Sequence, residues 1–147
     1  MPWELNALVR LCFSLSALLA GSTFFPQENP MKAPLVVERV CRLPIDFRDG
    51  TKSPLQLVRD SGYLENPVAL TIEAVEDALR RKPELVDEWL GWSEDKRVSS
   101  GWYFLKAGTQ FVVGYYPRGE KRLYADRIAA CADFVIHEVA SISDCVV

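Results

Sequence analysis

Residues 101–116 read GWYFLKAGTQFVVGYY, and the fold turns on how this stretch is read. Gly101 to Leu105 and Phe111 to Tyr116 are dense in aromatic and β-branched side chains, which suit a pleated, half-buried surface. Between them, Lys106-Ala107-Gly108-Thr109-Gln110 supplies a glycine for positive φ, so the pair predicts an antiparallel hairpin. Gly114, inside the second run, points to a bulge or to a close approach. A two-stranded ribbon does not hold together in water by itself, so this hairpin requires cover.

Cover is available on both sides of it. Downstream, Pro117 ends the strand and RGEK (118–121) turns the chain. A helix follows from about Ala125 to Ser141, with Ile128, Ala132, Val135, Ile136, Val139 and Ile142 as its apolar stripe. Upstream, PELVDEWLGW (83–92) has proline at a first helical position and Leu85, Val86, Trp89 and Leu90 facing inward. IEAVEDALRRK (72–82) is helical in propensity and pattern, with Glu76 and Arg80 placed to pair at i,i+4. Its cap is either Asn66 or Thr71. Ser53-Pro54-Leu55-Gln56 reads as a capping box opening a short helix that Gly62 closes. LVVERVCRL (35–43), bounded by Pro34 and Pro44, is rich in β-branched residues and is the best candidate for a third strand. The expectation is an α+β fold: one small domain over 34–147, an antiparallel hairpin or short sheet packed against several helices, including a C-terminal helix.

Residues 1–33 are read apart from that domain, as an amphipathic helix or signal-like segment plus a loop. Trp3, Leu8, Leu11, Cys12, Leu15, Leu18 and Leu19 recur at helical spacing. The same run, LCFSLSALLA (11–20), resembles a signal-peptide core, but Glu4 sits in the flank and Arg10 is its sole base. It is too short for a stable membrane span. The helix reading implies a cytoplasmic protein, with a homo-oligomer contact as one use for the apolar face; the signal reading implies export.

The 147 residues carry a net charge of −3. That balance argues against a nucleic-acid partner, which requires concentrated Lys and Arg. Residues 53–97 hold ten acids and six bases, a net of −4, so the middle of the chain is its acidic part. Cys12, Cys41, Cys131 and Cys145 fit no metal spacing, and reduced, largely buried thiols are expected. No glycine-rich phosphate loop and no paired-histidine metal motif is present, so no cofactor is expected. The sole histidine, His137, lies four residues after Asp133 and suits a helix-surface pair better than a Cys–His nucleophile.

The stretch richest in candidate contacts is WLGWSEDKRVSSGWY (89–103). Trp92 can bury a large area at small entropic cost, and Arg97 can bond a carboxylate through paired hydrogen bonds. Glu94 and Asp95 can meet a basic patch, Lys96 adds a second cation, and Ser99 and Ser100 add adaptable hydroxyls. Glu94 and Asp95 are sequence neighbours, which argues against a carboxylate pair working in one cleft. Tyr103, Tyr115 and Tyr116 could line a small pocket. The expected site is therefore a protein-binding surface of Trp92, Glu94, Asp95, Lys96, Arg97, Ser99 and Ser100. In size, acidity and helix–hairpin–helix layout the chain is similar to bacterial immunity proteins, small partners that bind toxins tightly. The likeness is one of type, and no residue role is carried over from it. The alternatives are a small hydrolase or ligand-binding enzyme drawing residues from separate segments, and a structural subunit of a complex.

Overall fold

The computed structural model describes residues 32–95, 100–117 and 119–145. The expected N-terminal segment, through residue 31, lies outside the described residues, as do Lys96, Arg97 and Ser99. Six α-helices and a three-stranded sheet make up the rest. Their order is α1 (Ala33–Cys41), α2 (Leu43–Asp49), α3 (Pro54–Ser61), a 3-10 turn (Pro67–Ala69), α4 (Ile72–Arg81), α5 (Glu84–Asp95), β1 (Gly101–Ala107), β2 (Gln110–Tyr116), β3 (Lys121–Tyr124) and α6 (Arg127–Asp144).

The hairpin forms as its composition predicts. β1 and β2 pair antiparallel without a break from Gly101↔Tyr116 to Ala107↔Gln110. The connection tightens to two residues, with Gly108 at φ 65° in the first central position, as a type II′ turn requires. Gly114 makes no bulge. It sits opposite Tyr103, whose ring lies over it, and a Cβ added at Gly114 would fall 2.5 Å from the Tyr103 hydroxyl.

The third strand is not the one expected. Leu35–Leu43 is helical, and the sheet is completed by β3, antiparallel to β2, in the order β1-β2-β3. Val36, Val37, Val40 and Cys41 are the buried residues of α1, a spacing that fits one helix face. A strand over the same residues would have turned Arg39 or Glu38 inward with the valines. Period therefore outweighs β-branching here. Pro34 and Pro44, read as strand boundaries, lie instead in the first turns of α1 and α2, where a missing N–H costs nothing.

The caps follow the sequence closely. Ser53 Oγ accepts from Gln56 N at 3.2 Å, but the Gln56 side chain turns away to Asp60 (2.9 Å), so only half of the capping box is made. Thr71 caps α4 by accepting from Ala74 N, and Asn66 merely precedes the 3-10 turn. Glu76 and Arg80 pair at 2.9 Å. Asp126 caps α6, accepting from Ile128 N.

Helix α6 is the central element, packed on the sheet on one side and on α4 on the other. Its buried Ala130, Cys131 and Ala132 permit close approach. Phe134 meets Phe104 of β1 at 5.7 Å and Trp89 of α5 at 5.9 Å between ring centroids. The Trp89 indole N–H donates to the Cys41 carbonyl at 3.1 Å, which ties α5 to the end of α1. The far face of the sheet carries Leu105, Val112 and Leu123 in register across the three strands. Cys41 and Cys131 are free and buried, and Cys145 is free and exposed. Among the described residues no helix is long and apolar enough to cross a membrane.

Candidate partner-binding surface

The end of α5 and the start of β1 form the two sides of the predicted site. Glu94 and Asp95 are exposed in the last turn of α5, and Ser100 is exposed just before β1. Between them, buried Ser93 accepts from the Phe104 backbone N–H through Oγ at 2.7 Å. That bond fastens the helix end to the edge strand and satisfies a donor that the sheet leaves unused. Lys96, Arg97 and Ser99 belong to the segment that joins these two anchors in sequence.

Trp92 plays a more structural part than its sequence suggests. Its ring packs against Trp89 (5.6 Å) and edge-on against Phe47 (5.3 Å). Its indole N–H donates to Oε1 of buried Glu138 at 2.9 Å. Half-buried and bonded, it forms a wall rather than a free-standing anchor.

Trp92 walls a groove of about 650 Å³ between α2, α5 and α6. The apolar floor comes from Phe47, Trp92, Pro44 and Ile142. Phe47 is 44% exposed, a large aromatic left open on the surface. Asp87, Glu88, Glu94 and Asp95 border the groove, facing Arg48. Arg48 is held by Glu88 at 2.6 Å and by Asp49 at 3.3 Å, and the Asp49 bond first, then Glu88, raises its pKa. Gly91 lines the groove as well, and a Cβ added there would meet nothing within 4 Å.

A second depression, about 550 Å³, lies on the other flank of the same helix end. Leu90, Tyr103, Leu105 and Tyr116 line it, with Tyr116 60% exposed. Tyr103 and Tyr116 thus share a recess as expected. Tyr115 does not line it and instead meets Trp102 at 5.6 Å. Glu94 borders both depressions, so the helix end is a ridge between them. Glu94 and Asp95 also border one groove together, contrary to the sequence argument.

The polar chemistry of the molecule gathers elsewhere. Asp133, only 2% exposed, accepts from Arg122 Nη1 (3.0 Å) and from the Tyr124 hydroxyl (2.9 Å). His137 Nε2 lies 3.3 Å from the same carboxylate, and its ring stacks on Trp102 at 3.9 Å. Burial, then the bond to Asp133, pushes the Tyr124 phenol up. The Asp133–His137 pair seen in sequence therefore exists, but as part of a bridge between α6 and β3. Neither groove is lined by His137 or Asp133, so this pair faces no recess described above. No group of His, Cys, Asp and Glu able to hold a metal occurs among the described residues.

Sequence reasoning missed Phe47 and Ile142 as residues sharing a groove with Trp92, because their meeting depends on α2 and α6 crossing α5. It also missed Arg122 and Tyr124 as partners of Asp133. Their signal was present: in KRLY (121–124) they alternate, and an acid at an otherwise apolar helical position needs a cation or hydroxyl opposite. No protein-family model matches the chain, and no curated protein or solved structure matches it either.

Proposed function

We propose that the chain is a non-catalytic protein-binding module, of inhibitor or immunity type, whose partner docks on the ridge at the end of α5. The observation that carries this reading is the pair of apolar-floored grooves flanking that ridge. Aromatic and aliphatic floors beside charged rims suit a protein surface, where a few buried anchors supply most of the affinity. The proposed contact set is Glu94, Asp95 and Ser100 at the ridge, with Lys96, Arg97 and Ser99 from the segment that joins them in sequence and Trp92 as the wall behind the helix end. A hydrolytic reading would draw on His137 and Asp133, and it is the weaker one because both are engaged in joining α6 to the sheet.

The test is affinity capture on the full chain, then reconstitution of the complex from purified components. A stoichiometric complex that Ser100→Arg and Arg97→Ala each weaken at least about fivefold, with thermal unfolding unchanged, supports the ridge as the interface. A complex indifferent to both variants, or no stoichiometric complex, refutes the reading.

A further inference from the structure

We infer that the groove between α2, α5 and α6 receives a cationic segment of a protein partner: an apolar side chain seated between Phe47 and Trp92, flanked by Lys or Arg. The inference rests on the protein-binding reading and adds the chemistry of the occupant. Three observations carry it. First, the floor is apolar and accessible, with Phe47 44% exposed and Trp92 held in place by its bond to Glu138. A fixed aromatic wall receives an apolar anchor with little ordering cost.

Second, the charges around the floor have one sign in excess. Among the described residues, Asp87, Glu88, Glu94, Asp95 and Glu138 line the groove against one base, Arg48. With Lys96 and Arg97 of the adjoining segment counted, acids still outnumber bases by five to three. Arg48 is already engaged by Glu88 and Asp49, so it offers little to an incoming carboxylate. Asp95 is exposed in the last turn of α5, and Asp87 reaches only to Arg127, at 4.0 Å, with 69% of its side chain exposed. Incoming ammonium or guanidinium groups on either side of the anchor would meet these two carboxylates.

Third, exposed Gly91 lines the groove and brings no side chain to it, and a Cβ added there would meet nothing within 4 Å. Glycine inside a helix is costly relative to other residues, so a larger residue at this position adds bulk at the groove with no cost to the helix.

That glycine supplies a clean experiment. Gly91→Gln places a side chain in the groove without changing charge and leaves the helix at least as stable as before. A displayed library of random 12-residue peptides is selected on the full chain. Enriched peptides are then synthesised and titrated by fluorescence anisotropy against the parent, Gly91→Gln, Asp95→Lys and Tyr116→Ala. The expected result is enrichment of peptides carrying at least two Lys or Arg around an aromatic or aliphatic residue. Their binding should fall about tenfold in Gly91→Gln and in Asp95→Lys, weaken as salt is raised, and persist in Tyr116→Ala. Neutral or acidic winners, no enrichment, or binding that Gly91→Gln leaves intact would overturn the inference. A purified partner complex weakened by Ser100→Arg but not by Gly91→Gln would overturn it while leaving the ridge as the interface.

Discussion

Gly114→Ala isolates one contact in the sheet. Gly114 has no positive φ, so alanine fits its backbone, and replacing glycine in a strand should stabilise by about 0.5–1 kcal/mol. The obstacle is the Tyr103 ring. The new Cβ would stand 2.5 Å from the hydroxyl oxygen and 2.6 Å from Cζ, so the ring must swing off the strand. Overpacking of this kind costs about 1–3 kcal/mol, and here about 1.5–2 kcal/mol applies, below the top of the range because the crowded atoms end a side chain that can turn. The net expectation is a destabilisation of about 1 kcal/mol, or roughly 3 °C in Tm for a domain of this size. In a Tyr103→Ala background the obstacle is absent, and Gly114→Ala should raise stability by about 0.5–1 kcal/mol. The two values differ by about 1.5–2 kcal/mol, a coupling energy readable by urea unfolding of the four proteins in the cycle. A Gly114→Ala effect of the same sign and size in both backgrounds would refute the argument that the ring, rather than the backbone, demands glycine.

Three further outcomes follow from buried groups. Asp133→Ala should cost about 2–3 kcal/mol, because it strands the Tyr124 hydroxyl and releases Arg122, whose own exposure keeps the loss moderate. Asp133→Asn, which keeps an acceptor, should cost less, and equal urea midpoints for parent and Asp133→Ala would contradict the bridge. Burial raises the Cys41 thiol to about 12, while Arg81 opposes the shift weakly, and burial raises Cys131 as well. Folded thiols therefore keep protons that unfolded thiols release. Stability should be unaffected by these groups below pH 9 and should fall as pH rises from about 9 towards 12. In iodoacetamide labelling at pH 8, peptide mapping should find Cys145 modified and Cys41 and Cys131 protected until denaturant is added. Modification of Cys41 in the native protein would contradict its burial.

Much of this architecture could be read from residue order alone, and the exceptions have identifiable causes. The hairpin, α4, α5 and α6 were legible because their signals are local: a turn glycine, a cap at Thr71, a proline at the start of α5, and stripes with one period. The 35–43 segment was misread because valine favours strands in composition, while its burial period of three to four residues is helical. β3 is only four residues, and KRLY presents two charged side chains, so it carries little strand signature before β2 is there to pair with it. The ridge was legible as a cluster of aromatic and charged residues. The groove beside it was not, since Phe47, Trp92 and Ile142 come from three helices and meet only through tertiary packing.

The Ser93–Phe104 hydrogen bond has a consequence in chain entropy. It closes the loop from one anchor to the other before any partner arrives. Bringing together the ends of a free loop of about ten residues costs roughly 2 kcal/mol, and here folding has already met that cost. A partner gripping Glu94, Asp95 or Ser100 therefore meets groups on two elements whose separation is already set. Removing the hydroxyl would shift part of that cost onto association, weakening any complex through residues that the partner never touches.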